Sequence, residues 1–166
     1  MILRPATTND APAVQAIYAH HVLHGLGTFE EEPPSTDEIA RRMADVAAQE
    51  KPWLAAEVDG ELKAYAYATQ LRPRAAYRFT VEDSVYVTPD ACGQGLGRAL
   101  LSALIKECTA RGMRQMIAAI GDSGNAASIS LHAALGFRQA GLYSQVGFKH
   151  GRWVDVVLMQ RALGPG

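Results

Sequence analysis

Val85-Tyr86-Val87-Thr88-Pro89-Asp90-Ala91-Cys92-Gly93-Gln94-Gly95-Leu96-Gly97-Arg98 is the stretch on which the reading of this chain turns. A β-branched and aromatic run ends at Val87, glycine then recurs at every second position, and the apolar spacing beyond Leu96 is helical. A strand that feeds a helix through such a turn exposes several backbone N–H groups, and the helix N-terminus adds partial positive charge. Glycine lets that backbone approach a phosphate closely. The expected ligand is therefore an anion, foremost a pyrophosphate. A Walker loop is excluded, because it ends in Gly-Lys-Ser/Thr and this chain has Gly97-Arg98-Ala99. A dinucleotide fingerprint needs a third glycine where Arg98 stands, and an acidic residue closing a strand about 20 residues later, which is missing.

Working outward, residues 1–4 read as a short strand. Thr8 or Asn9 can cap a helix with Pro12 in its first turn, and Val14, Ile17, Tyr18 and Val22 share one face of it before Gly25. Ser35-Thr36-Asp37-Glu38 fits a capping box ahead of Ile39, Met43 and Val46. Residues 53–58 and 62–68 flank Asp59-Gly60, a strong hairpin signal. Residues 78–87 form a strand, 96–111 a helix stopped by Gly112, and 115–120 a buried strand. Asn125 caps a helix reaching Leu135, with Gly136 just beyond its end. Residues 137–143 and 153–160 are the last strands. The order β-α-α-β-β-β-α-β-α-β-β is that of an α/β or α+β chain, with helices packed on a mixed sheet.

The 166 residues imply one domain, spanning 1–163, with Gly164-Pro165-Gly166 as a loose tail. Apolar residues at 48% and charged residues at 20% argue against disorder. A net charge of −1 supplies no overall basic excess for nucleic acid or an anionic membrane, and neither is expected as a partner. No apolar run approaches the ~18 residues of a membrane span, and the first residues lack the apolar core of a signal peptide. Cys92 and Cys108 are too few for a disulfide framework and too far apart for a CxxC site, which favours a cytoplasmic setting. His20, His21, His24 and His150 have no ligand spacing with a carboxylate, so no metal is expected.

A second motif follows the glycine turn: Asn125-Ala126-Ala127-Ser128-Ile129-Ser130-Leu131-His132-Ala133-Ala134-Leu135-Gly136-Phe137. It resembles the pattern Asn-x-x-Ser-x-x-Leu-(Tyr/His)-x-x-x-Gly-Phe of the GNAT N-acetyltransferases. Their acyl-CoA loop, Gln/Arg-x-x-Gly-x-Gly/Ala, is matched by Cys92-Gly93-Gln94-Gly95-Leu96-Gly97, with Cys92 in place of Gln or Arg. Nearly end to end the chain is similar to the phosphinothricin / methionine sulfone–methionine sulfoximine acetyltransferase branch. The marks are Thr28-Phe29-Glu30-Glu31-Glu32-Pro33, residues 53–60, Arg72-Pro73-Arg74-Ala75-Ala76-Tyr77, Glu82-Asp83-Ser84-Val85-Tyr86-Val87 and Gly147-Phe148-Lys149-His150-Gly151-Arg152-Trp153.

The resemblance implies a GNAT fold, a mixed and mostly antiparallel central sheet flanked by helices. It implies acetyl-CoA as cosubstrate, a cytoplasmic homodimer, and acetylation of the α-amino group of small glutamate- or methionine-like amino acids. A protein or peptide N-terminal acetyltransferase and a non-catalytic CoA-binding module share these motifs and stay open as alternatives.

By the same resemblance CoA lies along Val85, Tyr86 and Val87, and Gly93, Gln94, Gly95, Leu96, Gly97 and Arg98 cradle its pyrophosphate. Asn125 and Ser128 contact cofactor or substrate, and either can instead serve the helix start. The reaction is attack of an amine on a thioester. A free α-amino group, with a pKa of about 8, is mostly protonated at neutral pH, so a base and an oxyanion donor are needed. The resemblance makes Glu82 the base, directly or through water, and a backbone N–H of residues 85–87 the donor. Ser128 would protonate the leaving thiolate. His132, four residues on along the same helical face, is either an acid/base group or a packed histidine. Arg72 and Arg74, stiffened by Pro73, would clamp a carboxylate. Glu82, Asp83 and Ser84 would flank the substrate from the other side, and Phe29, Tyr77 and Trp153 would add aromatic lining or core. Transfer is expected to be direct, in a ternary complex.

Overall fold

A computed structural model describes residues 1–165. Strand β1 (Ile2–Pro5) is followed by helices α1 (Ala11–His24) and α2 (Thr36–Ala48). Strands β2 (Trp53–Val58), β3 (Glu61–Gln70) and β4 (Thr80–Val87) come next. Helix α3 (Leu96–Ala110), strand β5 (Gln115–Gly121) and helix α4 (Ala126–Ala134) precede the final hairpin of β6 (Arg138–Lys149) and β7 (Arg152–Ala162). The order is the one the sequence implies. Local chemistry accounts for the boundaries: the Ser35 side chain accepts from the Glu38 N–H at the start of α2, and Asn125 accepts from the Ser128 N–H at the start of α4. Asp59 and Gly60 both adopt positive φ in the β2–β3 turn.

The seven strands form one sheet in the order β1-β2-β3-β4-β5-β7-β6. Every neighbouring pair is antiparallel except β4 and β5. Strand alternation gives the two faces different textures. Ala64, Ala66, Ala68 and Val81 face a core with Leu100, Leu101 and Leu104 of α3, so small side chains let that helix sit close. Trp53 and Tyr65 face the other core with Val14, Ile17, Ile39 and Met43 of α1 and α2. There Trp53 stacks on Tyr67 at 4.0 Å between ring centroids.

Two local expectations need correction. The strand expected from residue 78 begins at Thr80, because a 3₁₀ turn over Ala75–Tyr77 occupies the approach. The strand expected to end at Tyr143 runs on to Lys149 through a register shift between Tyr143 and Gly147. There Gln145 takes positive φ and its N–H is met by Asp155, a bulge that breaks the period-two pattern used to find strands. Gly164 and Pro165 form a turn behind buried Leu163, and Gly166 of the expected tail lies outside the described residues.

Candidate active site

The β4–β5 pairing is short. Thr80, Val81 and Glu82 pair with Gln115, Met116 and Ile117, and there the ladder ends. From Asp83 on one side and Ala118 on the other the strands part. A cleft of about 370 Å³ occupies the gap, closed on its flanks by α1 and α4.

Past Glu82 the β4 edge facing this gap has no strand beside it. Hydrogen bonds join Thr88 N to Lys63 O and Leu71 N to Thr80 O, so the even-numbered β4 residues turn their peptide groups toward β3. Asp83, Val85 and Val87 therefore turn theirs toward the gap. The Val87 carbonyl confirms the direction, since it accepts from His21 Nε2 of α1 at 2.9 Å. Burial pushes the His21 imidazole down, which suits a neutral ring donating one N–H. An extended ligand with amides can pair along such an edge as an added strand.

Beyond Val87 the glycine turn carries the chain into α3. Gly93 and Gly95 have φ of +78° and +82°, and Gly95 is the residue capping α3. Gly97 does a different job: a Cβ there would meet Leu131 Cδ2 at 3.4 Å, so its absence lets α3 pack on α4 and β4. The Leu96 side chain is buried in the core, which leaves only its peptide group for a ligand. Gln94 and Arg98 are exposed, and Cys92, also exposed, donates to the Thr88 carbonyl.

Glu82 sits half-buried at the fork, the last β4 residue still paired with β5. Burial, then the neighbouring Asp83 charge, push its carboxyl above the usual carboxylate range, against the pull of Arg72. Across the cleft α4 contributes Asn125, Ser128 and His132. His132 lies 2.8 Å from Asp83 Oδ2 through Nε2 and 2.7 Å from the Ser128 carbonyl through Nδ1.

The opposing wall comes from the loop between α1 and α2. Lys149, itself 1% exposed, donates to the Thr28 carbonyl at 2.7 Å. The Phe29 ring covers Gly147, where a Cβ would stand 2.5 Å from a ring carbon. At Gly121 a Cβ would collide with the Leu26 carbonyl, so β5 ends under the loop backbone. Tyr18 bonds Thr28 and Glu30, each at 2.7 Å, and Arg42 holds Glu30.

The structure thus brings Glu82, Asp83, Ser84, Val85, Tyr86, Asn125, Ser128 and His132 to one cleft. Several expectations need amending. Tyr86 lines the cleft with its ring, but its peptide groups belong to β3. Arg72, Pro73 and Arg74 are exposed and outside the cleft lining, with the Gln70 amide holding the Arg72 and Arg74 carbonyls. Phe29, Tyr77 and Trp153 are 39%, 37% and 63% exposed and line neither cleft nor core. Tyr18, His21, Thr28 and Tyr67 line the cleft without having been singled out for it. In sequence Tyr18 reads as a helix-face residue and His21, three residues on along α1, only as a histidine without ligand spacing, and only the tertiary fold turns both onto β4.

A parallel pair that splays, a glycine turn at its far end and a half-buried carboxylate at its fork suit a protein that threads a long phosphate-bearing ligand toward an acid/base group. Comparison with known proteins agrees. A family model described as an acetyltransferase (GNAT) domain matches residues 3–158. The chain is 57% identical over 164 residues to the phosphinothricin N-acetyltransferase of Alcaligenes faecalis, covering 99% of this chain and 83% of that one. It is 44% identical to the L-methionine sulfoximine/L-methionine sulfone acetyltransferase of Pseudomonas aeruginosa, covering 98% and 95%. A GNAT superfamily phosphinothricin acetyltransferase from Sinorhizobium meliloti, solved in complex with AcCoA, superposes with a TM-score of 0.97 at 48% identity, over 99% of this chain and 89% of that one. This chain belongs to the GNAT acetyltransferase family.

Proposed function

We propose that the protein transfers the acetyl group of acetyl-CoA to the α-amino group of small glutamate- or methionine-like amino acids, with L-methionine sulfone, L-methionine sulfoximine and L-phosphinothricin as the substrate class. The observation that carries this reading is Glu82 at the fork of β4 and β5, where a free strand edge ends against a half-buried carboxylate. The residues present fit acetyl-CoA: the peptide groups of Val85 and the N–H of Val87 for the pantetheine amides, and the N–H groups from Gly93 to Arg98 for the pyrophosphate. The thioester supplies an activated acetyl group.

Glu82 takes a proton from the substrate ammonium, directly or through water. Its raised pKa makes it a better base than an exposed glutamate. The freed amine attacks the thioester carbon, and an N–H of the open β4 edge donates to the oxygen that gains charge. The C–S bond breaks, the nitrogen loses its second proton to the Ser128 hydroxyl, and Ser128 in turn passes its own proton to the leaving thiolate. Arg72 and Arg74, at the rim beyond Glu82, draw in the substrate carboxylate. Cys92 takes no part.

The protein acts in the cytoplasm as one domain over residues 1–163. It works as a homodimer through the β6–β7 end of the sheet, where Leu142, Tyr143, Val146, Phe148 and Trp153 are 48–63% exposed.

The test is initial-rate kinetics with L-methionine sulfone and acetyl-CoA both varied. Wild type should give the intersecting pattern of a ternary complex, and Glu82→Gln should lower kcat by ~10²-fold or more. A Glu82→Gln rate near wild type across pH 6 to 9, or an acetylated Cys92 that reacts competently with amine, would contradict the reading.

A further inference from the structure

His132 and Asp83 meet in the interior, with side chains 4% and 1% exposed. The Ser128 carbonyl can only accept, so Nδ1 must donate to it. With Asp83 ionised, Oδ2 also only accepts, so Nε2 must donate to it. A neutral imidazole has one N–H, and these two bonds need two. The other oxygen, Asp83 Oδ1, is buried with no hydrogen-bond partner. A carboxylate so poorly solvated is tolerable when its one bond comes from a full positive charge. The remaining titratable groups nearby do not offer that charge. Glu82 projects from the other face of the same strand, and Cys108 of α3 is a neutral thiol, pushed by burial up to about 12. Phe137 closes the site edge-on to the imidazole at 4.9 Å.

The location matters as much as the charge. Asp83 is the first β4 residue past the last β4–β5 pair, so no neighbouring strand fixes it from that side. His132 is on the helix whose first turn carries Asn125 and Ser128 into the cleft. We propose that Asp83 is a positioning residue that keeps His132 as an imidazolium donating from both nitrogens, and that this pair clamps the first turn of α4 across the open edge of β4. His132 then has no nitrogen left for the reacting atoms and works as part of the clamp. The inference rests on the acetyl-transfer reading of the cleft for its kinetic consequence, but not for the protonation state itself.

Burial alone would lower the His132 pKa, but the Asp83 bond and charge and the Ser128 carbonyl carry it above the usual histidine value. A group raised on folding stabilises fully below its unfolded pKa of about 6.5 and loses that contribution as pH rises through the folded value. The Tm difference between wild type and Asp83→Asn should therefore be largest near pH 6 and narrow toward pH 9.

The decisive experiment is imidazole nitrogen NMR on the full chain labelled at histidine, with His132 assigned from His132→Gln or by replacing the other histidines in turn. At pH 7 wild type should show His132 with both nitrogens protonated. Asp83→Asn should show one protonated nitrogen and a kcat ~10-fold lower, with the amino-acid KM within about twofold. A neutral wild-type His132 at pH 7 would overturn the proposal, and so would an Asp83→Asn enzyme that loses stability but keeps its kcat. Should Asp83→Asn not fold, the wild-type spectrum decides alone. A doubly protonated His132 in a protein that acetylates no amine would uphold the clamp and sink the acetyl-transfer reading instead.

Discussion

The two walls of the cleft are built from different materials. The wall assigned to CoA is mostly backbone, taken from one continuous stretch of chain: the free edge of β4, the glycine turn and the first turn of α3. The opposing wall, which on this reading meets the amino acid, is mostly side chains, gathered from α1, the α1–α2 loop and β3. A ligand common to many enzymes can be held by peptide groups, which every residue has. A particular substrate must be met by particular side chains, and these come from wherever the fold delivers them. Changes on one wall should therefore move one kinetic constant and leave the other nearly still.

The sharpest break is expected at Gly121. Its missing Cβ is what lets the Leu26 carbonyl rest on the end of β5. Gly121→Ala should push the loop outward and cost about 1–3 kcal/mol of stability. Its kcat/KM for the amino acid should fall by ~10²-fold while the acetyl-CoA KM stays within about threefold. Equal losses for both substrates in steady-state kinetics would mean that the loop does not belong to one wall alone.

Gly95→Ala should do the reverse on a smaller scale. Nothing crowds a Cβ there, but φ of +82° imposes left-handed strain of about 1–2 kcal/mol on alanine. The acetyl-CoA Kd, measured by calorimetry, should rise several-fold, with the amino-acid KM unchanged.

The rim arginines are the gentlest test. Arg72→Ala should raise the amino-acid KM more than the acetyl-CoA KM, and more than Arg74→Ala does, because only Arg72 reaches Glu82 with its charge. Arg72 holds the Glu82 carboxyl down, so its loss should move the acid limb of the kcat/KM profile to higher pH. An acid limb that moves to lower pH, or a larger effect from Arg74, would relocate the clamp.

The same contrast explains what could be read in advance. Element order, the Asp59-Gly60 hairpin, the Ser35 and Asn125 caps and the glycine turn are all signalled by neighbours in sequence. Glu82, Val85 and Ser128 were legible because their motifs are local. The loop wall was not. Lys149 and Thr28 are 121 positions apart, and a lone lysine in a strand carries no sign that it will be buried under a distant carbonyl. Phe29 was expected to line the pocket, yet its ring is spent covering Gly147, and the role falls to Thr28 beside it. Asp83 was read as a group flanking the substrate. Strand alternation puts it on the face opposite Glu82, where the buried partner is His132.

The central claim is that one cleft joins acetyl-CoA to a small amino acid. Release of CoA from acetyl-CoA, followed with a thiol reagent, tests it most directly. The amines offered would be L-methionine sulfone, L-methionine sulfoximine, L-phosphinothricin, free lysine and an N-terminal peptide. Turnover confined to the first three is the expected result; turnover only with lysine or the peptide would contradict it.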